Sequence, residues 1–198
     1  MIKAVSVLSR TSVFLPAAAL LLAFMLFAFP VMGALLAAHT PAGGDFDTVF
    51  FYTPAEALHK ASLFAPADVP AFVMIHWTYD LAFPLAYGFF AASAWAFGIR
   101  LLASRRRTVH PVRSVREPDL IMVALPLAAV AFDLCENAAV TVLFMSLAGR
   151  DSGSIVVRAA ATAASVFTLL KWLSVIPALT GAFLLPAAGL VALVRRKD

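Results

Sequence analysis

Charged residues and cysteine are both scarce in this sequence. Of the 198 residues, 13% are charged and 63% are hydrophobic, whereas about a quarter of an average soluble domain is charged. This balance excludes an ordinary water-soluble domain and a disordered chain. The single cysteine, Cys135, excludes an internal disulfide, a zinc site built on cysteine pairs and a membrane thiol oxidoreductase.

Long apolar runs predict four transmembrane helices, at about residues 11–38, 69–100, 119–148 and 155–194. The fold class expected is all-α: a polytopic membrane protein, with the four helices in one bundle and one domain over residues 1–198. The first run is too long for the apolar core of a signal peptide, so we expect an uncleaved span. The last run, about 60 Å long as a helix, is either one long helix or a broken one.

Basic residues flank the apolar runs and predict the orientation. Arginines fill the segment between the second and third runs, Lys3 and Arg10 precede the first, and Arg195–Lys197 end the chain. Short basic segments stay in the cytoplasm. We therefore expect a multi-pass protein of the plasma (inner) membrane with both termini cytoplasmic. The net charge of +4 is explained by this flanking pattern, so the bilayer, and not nucleic acid, is the predicted partner.

The loop between the first and second runs carries the signature of a short helix. Thr53-Pro54-Ala55-Glu56 combines a capping box with proline at the first helical position. We expect a short interfacial helix over about residues 54–65, either as a simple surface helix or as a lid over the bundle. Glu56 and His59 are the lid candidates.

Ionisable residues inside the apolar runs are the strongest functional signal. Each charge near the bilayer centre costs about 2.5–3.5 kcal/mol, and such residues usually face inward, where they pair or line a cavity. Helical spacings of three and four place several of them on common faces. The candidate residues for ligand binding or proton handling are His76, Tyr79, Asp80, Tyr87, Asp133, Glu136, Asn137 and Lys171.

Depth along the helices predicts that most of these residues meet. At 1.5 Å per residue, Asp80 lies about 30 Å from Arg100 and Lys171 about 35 Å from Arg195, which places both in the outer half of the bilayer. The carboxylates outnumber the bases, and this favours proton relay, cation binding or acid/base chemistry. Lys171 counts against a dense metal site, so neither a metal nor another cofactor is predicted.

Motifs in four segments resemble a widespread group of small, uncharacterised four-span membrane proteins. They are Tyr52-Thr53-Pro54-Ala55-Glu56, Asp80-Leu81-Ala82-Phe83-Pro84-Leu85-Ala86-Tyr87, Phe132-Asp133-Leu134-Cys135-Glu136-Asn137 and Phe167-Thr168-Leu169-Leu170-Lys171-Trp172. The resemblance implies a four-span fold with a polar centre and no particular activity. The arrangement is also similar, in architecture alone, to the sterol isomerase and sigma-2 receptor superfamily.

Three classes of function remain open. The favoured hypothesis is a protein that binds or moves a small amphiphile or cation from the outer side, through a cavity open to the outer leaflet. The first alternative is an intramembrane acid/base enzyme of the isomerase kind. The second is a structural accessory subunit that associates with another membrane protein or with copies of itself.

Overall fold

The computed structural model describes residues 2–107, 117–147 and 153–194. All regular elements in these ranges are helical, which confirms the predicted all-α class. Arg113, Arg116 and Arg195–Lys197, on which the predicted orientation partly rests, lie outside the described residues. In chain order the helices are α1 (Ile2–Leu8), α2 (Thr11–Ala23), a π-helical turn (Phe24–Ala28), α3 (Phe29–His39), α4 (Pro54–Ser62), α5 (Val69–Arg107), α6 (Glu117–Leu147) and α7 (Ile155–Val194).

Four helical segments in the described part of the chain are long and apolar enough to cross a membrane. They are Thr11–His39, formed by α2, the π-helical turn and α3, most of α5 and of α6, and all of α7. The prediction of a polytopic membrane protein with four membrane-spanning helices is therefore confirmed. Helix α7 is continuous through Pro177 and Pro186, so the last apolar run forms one long helix.

Helix α4 begins as the sequence predicts. Thr53 accepts a hydrogen bond from the Glu56 backbone N–H at 3.2 Å, and the Glu56 carboxylate accepts one from the Thr53 backbone N–H at 2.6 Å. The hydrogen bonds that the Thr53 backbone N–H and hydroxyl donate to the carboxylate lower the pKa of Glu56. The capping box is complete, but the helix ends at Ser62, three residues before the predicted end.

The helices contribute to two compact units. The cluster unit contains Phe24–Pro84 and Val130–Leu173, and the terminal unit contains the described residues of Met1–Ala23, Leu85–Ala129 and Ser174–Asp198. Each of α5, α6 and α7 therefore supplies one portion to each unit.

The terminal unit is packed through small residues and one buried tryptophan. The indole N–H of Trp95 donates to the Ala178 carbonyl at 2.7 Å. A Cβ atom at Gly181 would lie 2.2 Å from the Trp95 ring, so glycine is required for this close approach. Arg100 donates to the Ser9 carbonyl at 3.2 Å, which satisfies a backbone acceptor just after α1.

The cluster unit has an aromatic and alanine-rich core. Phe46, Phe64, Phe72 and Phe144 are buried and contact one another edge to face or tilted. Small residues on α4 and α7 allow the helix backbones to approach closely; they are Ala57, Ala61, Ala160, Ala161 and Ala164. This core lies beside the ionisable residues described next.

Candidate functional site

Six of the eight predicted site residues are buried together in the cluster unit. Helix α5 supplies His76 and Asp80, α7 supplies Lys171, and α6 supplies Asp133, Glu136 and Asn137. Their exposed fractions are 2% for His76, 8% for Asp80, 4% for Asp133, 0% for Glu136, 1% for Asn137 and 6% for Lys171. The structure therefore places these side chains inside the unit and not toward lipid, as the helical spacing predicts.

Lys171 is the centre of the first part of the cluster, which we call the lysine group: Asp133, Glu136, Thr168 and Lys171. The Lys171 Nζ lies 2.6 Å from Glu136 Oε2 and 3.2 Å from Asp133 Oδ1. The Thr168 hydroxyl donates to the other Glu136 oxygen, Oε1. The prediction that Lys171 pairs with buried carboxylates is confirmed, and both oxygens of Glu136 are satisfied.

Tyr52 extends the lysine group from the loop that precedes α4. Its hydroxyl lies 3.5 Å from Glu136 Oε1, and its own carbonyl accepts a hydrogen bond from Ser165. Burial, followed by the charge of Glu136, raises the pKa of Tyr52 well above its ordinary value of 10.0. Tyr52 therefore remains a neutral donor to the carboxylate.

Asp47, in the loop before α4, belongs to the site although it is not among the predicted site residues. Its Oδ2 lies 3.1 Å from His76 Nε2, and its Oδ1 lies 3.5 Å from Lys171 Nζ. Burial alone would raise the pKa of Asp47, but the charges of His76 and Lys171 outweigh burial and hold the pKa well below its ordinary value of 3.8. Asp47 is thus an ionised link between the two bases.

The loop that carries Asp47 is held by contacts on both sides of it. Phe46, 1% exposed, is part of the aromatic core. Lys60 donates to the Asp45 carbonyl, and the Trp172 indole donates to the Val49 carbonyl at 3.0 Å. Apolar residues flank Asp47 in the sequence, and they are the one signal that could have predicted its burial. A loop exposed to water does not require apolar side chains for packing.

The second part of the cluster, which we call the histidine group, consists of Asp47, His76 and Asp80. His76 Nδ1 lies 3.3 Å from the Phe72 carbonyl. An N–H at Nδ1 donates to that carbonyl, so Nε2 is directed at the carboxylates. Asp80 Oδ2 is 3.9 Å from His76 Nε2, and no hydrogen-bond donor reaches this oxygen from the described residues.

Asn137 connects the two parts through the backbone. Its side-chain amide donates to the Asp80 carbonyl at 3.3 Å. Its own Oδ1 is buried and accepts no hydrogen bond from the described residues. The Oδ1 of Asn137 is therefore a buried oxygen, close to Asp80, that can accept a hydrogen bond.

The other predicted site residues differ in burial. Tyr87 is 2% exposed and lies in the part of α5 that belongs to the terminal unit. Tyr79 is half-buried, and the lid candidates Glu56 and His59 are exposed. The loop before α4 reaches the ionisable residues through Asp47 and Tyr52.

The chemistry of the cluster follows from its charges. Four buried or partly buried carboxylates, those of Asp47, Asp80, Asp133 and Glu136, share two bases, His76 and Lys171. Such a site favours an additional positive charge, either a proton or a bound cation. The ligand atoms of Asp47, His76 and Asp80 all lie within 4.8 Å of one another.

No family model, curated protein or solved structure matches this chain. The resemblance to small four-span membrane proteins therefore stays a prediction. The buried residues and their geometry are the basis on which a function can be proposed.

Proposed function

We propose that this integral membrane protein binds and moves a small cation, either free or as the cationic end of an amphiphile, at the cluster of buried carboxylates. One observation supports the proposal above the others. Asp80 is 8% exposed, and its Oδ2 has no hydrogen-bond donor among the described residues. A charged carboxylate in this environment is costly until a cation or a proton joins it.

The arrangement of the two groups supports a role in binding rather than in packing alone. The lysine group already contains a cation in direct contact with its carboxylates. The histidine group has two carboxylates around one imidazole, and its ligand would add to the side chains without displacing Lys171. Asp47 stands on a loop, so movement of that loop could open the group to ligand.

The basic segments that flank the apolar runs support the proposed sidedness. With both termini in the cytoplasm of a cell whose plasma membrane holds the protein, the acidic loop that contains Asp47 faces outward. The ligand would then enter from the outer side. Labelling of an introduced cysteine tests this in whole cells, after Cys135→Ser removes the native thiol. Asp45→Cys should react with an impermeant reagent and Arg106→Cys should not; the reverse pattern would contradict the orientation.

An intramembrane acid/base enzyme is the second candidate, and one observation favours it. The Phe72 carbonyl fixes the ring of His76 so that Nε2 is directed toward Asp47 and Asp80. A fixed imidazole beside a carboxylate is suited to proton transfer. An enzyme of this kind would require the same carboxylates, so a ligand-binding experiment comes first.

Thermal unfolding of the purified full chain in detergent tests cation binding. Alkali, alkaline-earth, transition-metal and long-chain quaternary ammonium cations are added one at a time. A ligand at about 100 times its Kd stabilises the folded state by about 2.7 kcal/mol. We expect at least one cation to raise the Tm of the wild type and of an Asp68→Asn control, whose carboxylate pairs with His39, and to leave Asp80→Asn unchanged.

Two results would contradict the proposal. One is an equal response of the wild type and Asp80→Asn to every cation that stabilises the protein. The other is no response to any cation while Asp80→Asn lowers the Tm by itself. The second result would favour the structural accessory subunit, because the carboxylate would then contribute to folding alone.

A further inference from the structure

Three ligand atoms of the histidine group form a compact set. His76 Nε2 lies 3.1 Å from Asp47 Oδ2 and 3.9 Å from Asp80 Oδ2, and one ligand atom from each residue lies within 4.8 Å of the others. Ligands bound tetrahedrally at about 2.0–2.1 Å from one ion are about 3.3 Å apart. Small side-chain rotations would therefore bring all three atoms onto one ion.

The hydrogen bond on the far side of His76 is of the kind that metal-binding histidines make. The Phe72 carbonyl is 3.3 Å from Nδ1 and accepts the Nδ1 proton, so the Nε2 lone pair would bind the ion once the metal had displaced the Nε2 proton. Such an outer partner fixes the tautomer and the ring orientation of a metal-bound imidazole. His76 is 2% exposed, so both ring nitrogens are held inside the unit.

Lys171 does not prevent a cation from binding here. Its ammonium lies 2.6 Å from Glu136 and 3.2 Å from Asp133, and 3.5 Å from Asp47 Oδ1. Asp133 and Glu136 together offer two negative charges against the single positive charge of Lys171. The Asp47 oxygen that faces His76 is Oδ2, which is not the oxygen that faces the lysine.

We propose that Asp47, His76 and Asp80 bind a divalent first-row transition-metal ion such as Zn²⁺. One imidazole nitrogen and two carboxylate oxygens are a ligand set that suits Zn²⁺ and its neighbours better than the all-oxygen sites of Mg²⁺ or Ca²⁺. Three protein ligands leave a fourth position open for water or for an incoming group. This inference rests on the proposed function, since it names the class of cation that the cluster binds.

The site would couple the metal to the outer loop. His76 and Asp80 lie one helical turn apart on α5 and are held by that helix, whereas Asp47 comes from the loop before α4. Binding of the ion would therefore join this loop to α5, and its release would require loss of the Asp47 ligand. The loop is the element through which the ion would enter.

Calorimetric titration with Zn²⁺ alone tests the site on the chelator-treated full chain in detergent. We expect one ion per chain for the wild type. Asp80→Asn and Asp47→Asn each remove one of three ligands and should weaken binding by at least about 100-fold, the upper range for loss of an outer-shell partner. His39→Gln and Asp68→Asn, which change the separate His39–Asp68 pair at 3.2 Å, are the controls and should bind as the wild type does.

X-ray absorption at the zinc edge gives a second measurement that needs no variant. The expected spectrum has one imidazole and oxygen ligands at about 2.0–2.2 Å. A spectrum without imidazole, or unchanged affinity in Asp80→Asn, would overturn the metal site. Where a variant does not fold, as judged by its Tm in chelator, the wild-type spectrum decides.

The outcomes separate this inference from the proposed function. If Zn²⁺ does not bind while another cation stabilises the protein through Asp80, the metal site is wrong and the proposed function stands. If neither Zn²⁺ nor any other cation depends on Asp80, both are wrong. Binding of Zn²⁺ with the expected dependence on Asp47 and Asp80 supports both.

Discussion

The lysine group and the histidine group both combine buried carboxylates with a basic side chain. They differ in how closely donors and cations approach those carboxylates. In the lysine group, an ammonium contacts Asp133 and Glu136, and Thr168 supplies a further donor to Glu136. In the histidine group, the Oδ2 of Asp80 lies 3.9 Å from His76 Nε2 and accepts no hydrogen bond from the described residues. Burial makes both arrangements costly, but in the described part of the chain cationic or hydroxyl partners reach the carboxylates of the lysine group and not this oxygen. The comparison shows that buried ionisable residues in one helical unit need not have one role.

The difference predicts a structural role for the lysine group and a ligand-dependent role for the histidine group. A satisfied buried pair is expected to resist change, because removal of one partner leaves the other charged and unpaired. An unsatisfied carboxylate can be neutralised at little cost to the fold. Substitutions in the two groups should therefore separate stability from binding.

Lys171→Ala should have the largest effect on stability. It leaves Asp133 and Glu136 buried without their cation, and the loss of one member of a buried ion pair costs about 3–5 kcal/mol. The free energy of unfolding in detergent, measured against Arg158→Ala on the exposed face of the same helix, provides the test. A change no larger than that of the control would remove the distinction between the two groups.

Glu136→Gln and Asp80→Asn each neutralise one carboxylate, the first in the lysine group and the second in the histidine group, so their effects on stability can be compared directly. Glu136→Gln removes the charge from the 2.6 Å contact with Lys171 and should cost about 1.5–3 kcal/mol, the range for a hydrogen bond to a charged group. Asp80→Asn should cost less, or stabilise, since it replaces a buried carboxylate that lacks a donor with a neutral amide. Denaturation curves of both variants would contradict the assignment if Asp80→Asn were the more harmful.

The contribution of Asp47 should depend on pH. Because its pKa in the folded state lies well below the ordinary value of 3.8, ionised Asp47 stabilises the protein at pH values above 3.8. That stabilisation declines as the pH falls below this value toward the folded pKa. The difference in Tm between the wild type and Asp47→Asn should therefore be greatest near neutrality and shrink in acid. A difference that does not vary with pH would argue against the contacts with His76 and Lys171.

Thr53→Ala should have a small effect on stability and none on cation binding. It removes the side-chain cap of α4 and should cost about 1 kcal/mol, while the described contacts of the cluster come from the preceding loop, α5, α6 and α7. Thermal unfolding and the cation response can be measured on the same sample. A loss of the cation response would restore α4 as a lid.

Much of the cluster could be predicted because helical periodicity is a local property. The spacing between His76 and Asp80, and between Asp133 and Glu136, places each pair on one face wherever the helix lies. The high cost of charge in lipid then requires these faces to point inward. The same spacing argument places Tyr87 on the face of His76, and its role in the site stays a prediction.

Loop residues could not be assigned in the same way. Asp47 has no periodic neighbours, and its acidic loop gives the same pattern whether its carboxylate meets water or His76. Tyr52 was part of a motif but carried no predicted role. The nearby aromatic residues, Phe46 above all, were a signal of packing, but they did not indicate which charges the loop would meet.

The sequence by itself determined the number of membrane-capable helices, the polar faces of α5 and α6, and the capping box of α4, because hydropathy, helical period and caps act over a few residues. Tertiary structure decided that Lys171 joins Asp133 and Glu136, that Asp47 joins His76, and that Asp80 Oδ2 has no hydrogen-bond donor among the described residues. These contacts join residues far apart in the chain. Their distances depend on how α5, α6, α7 and the loop pack within the cluster unit, and side-chain packing is a property of the assembled unit that no single segment encodes.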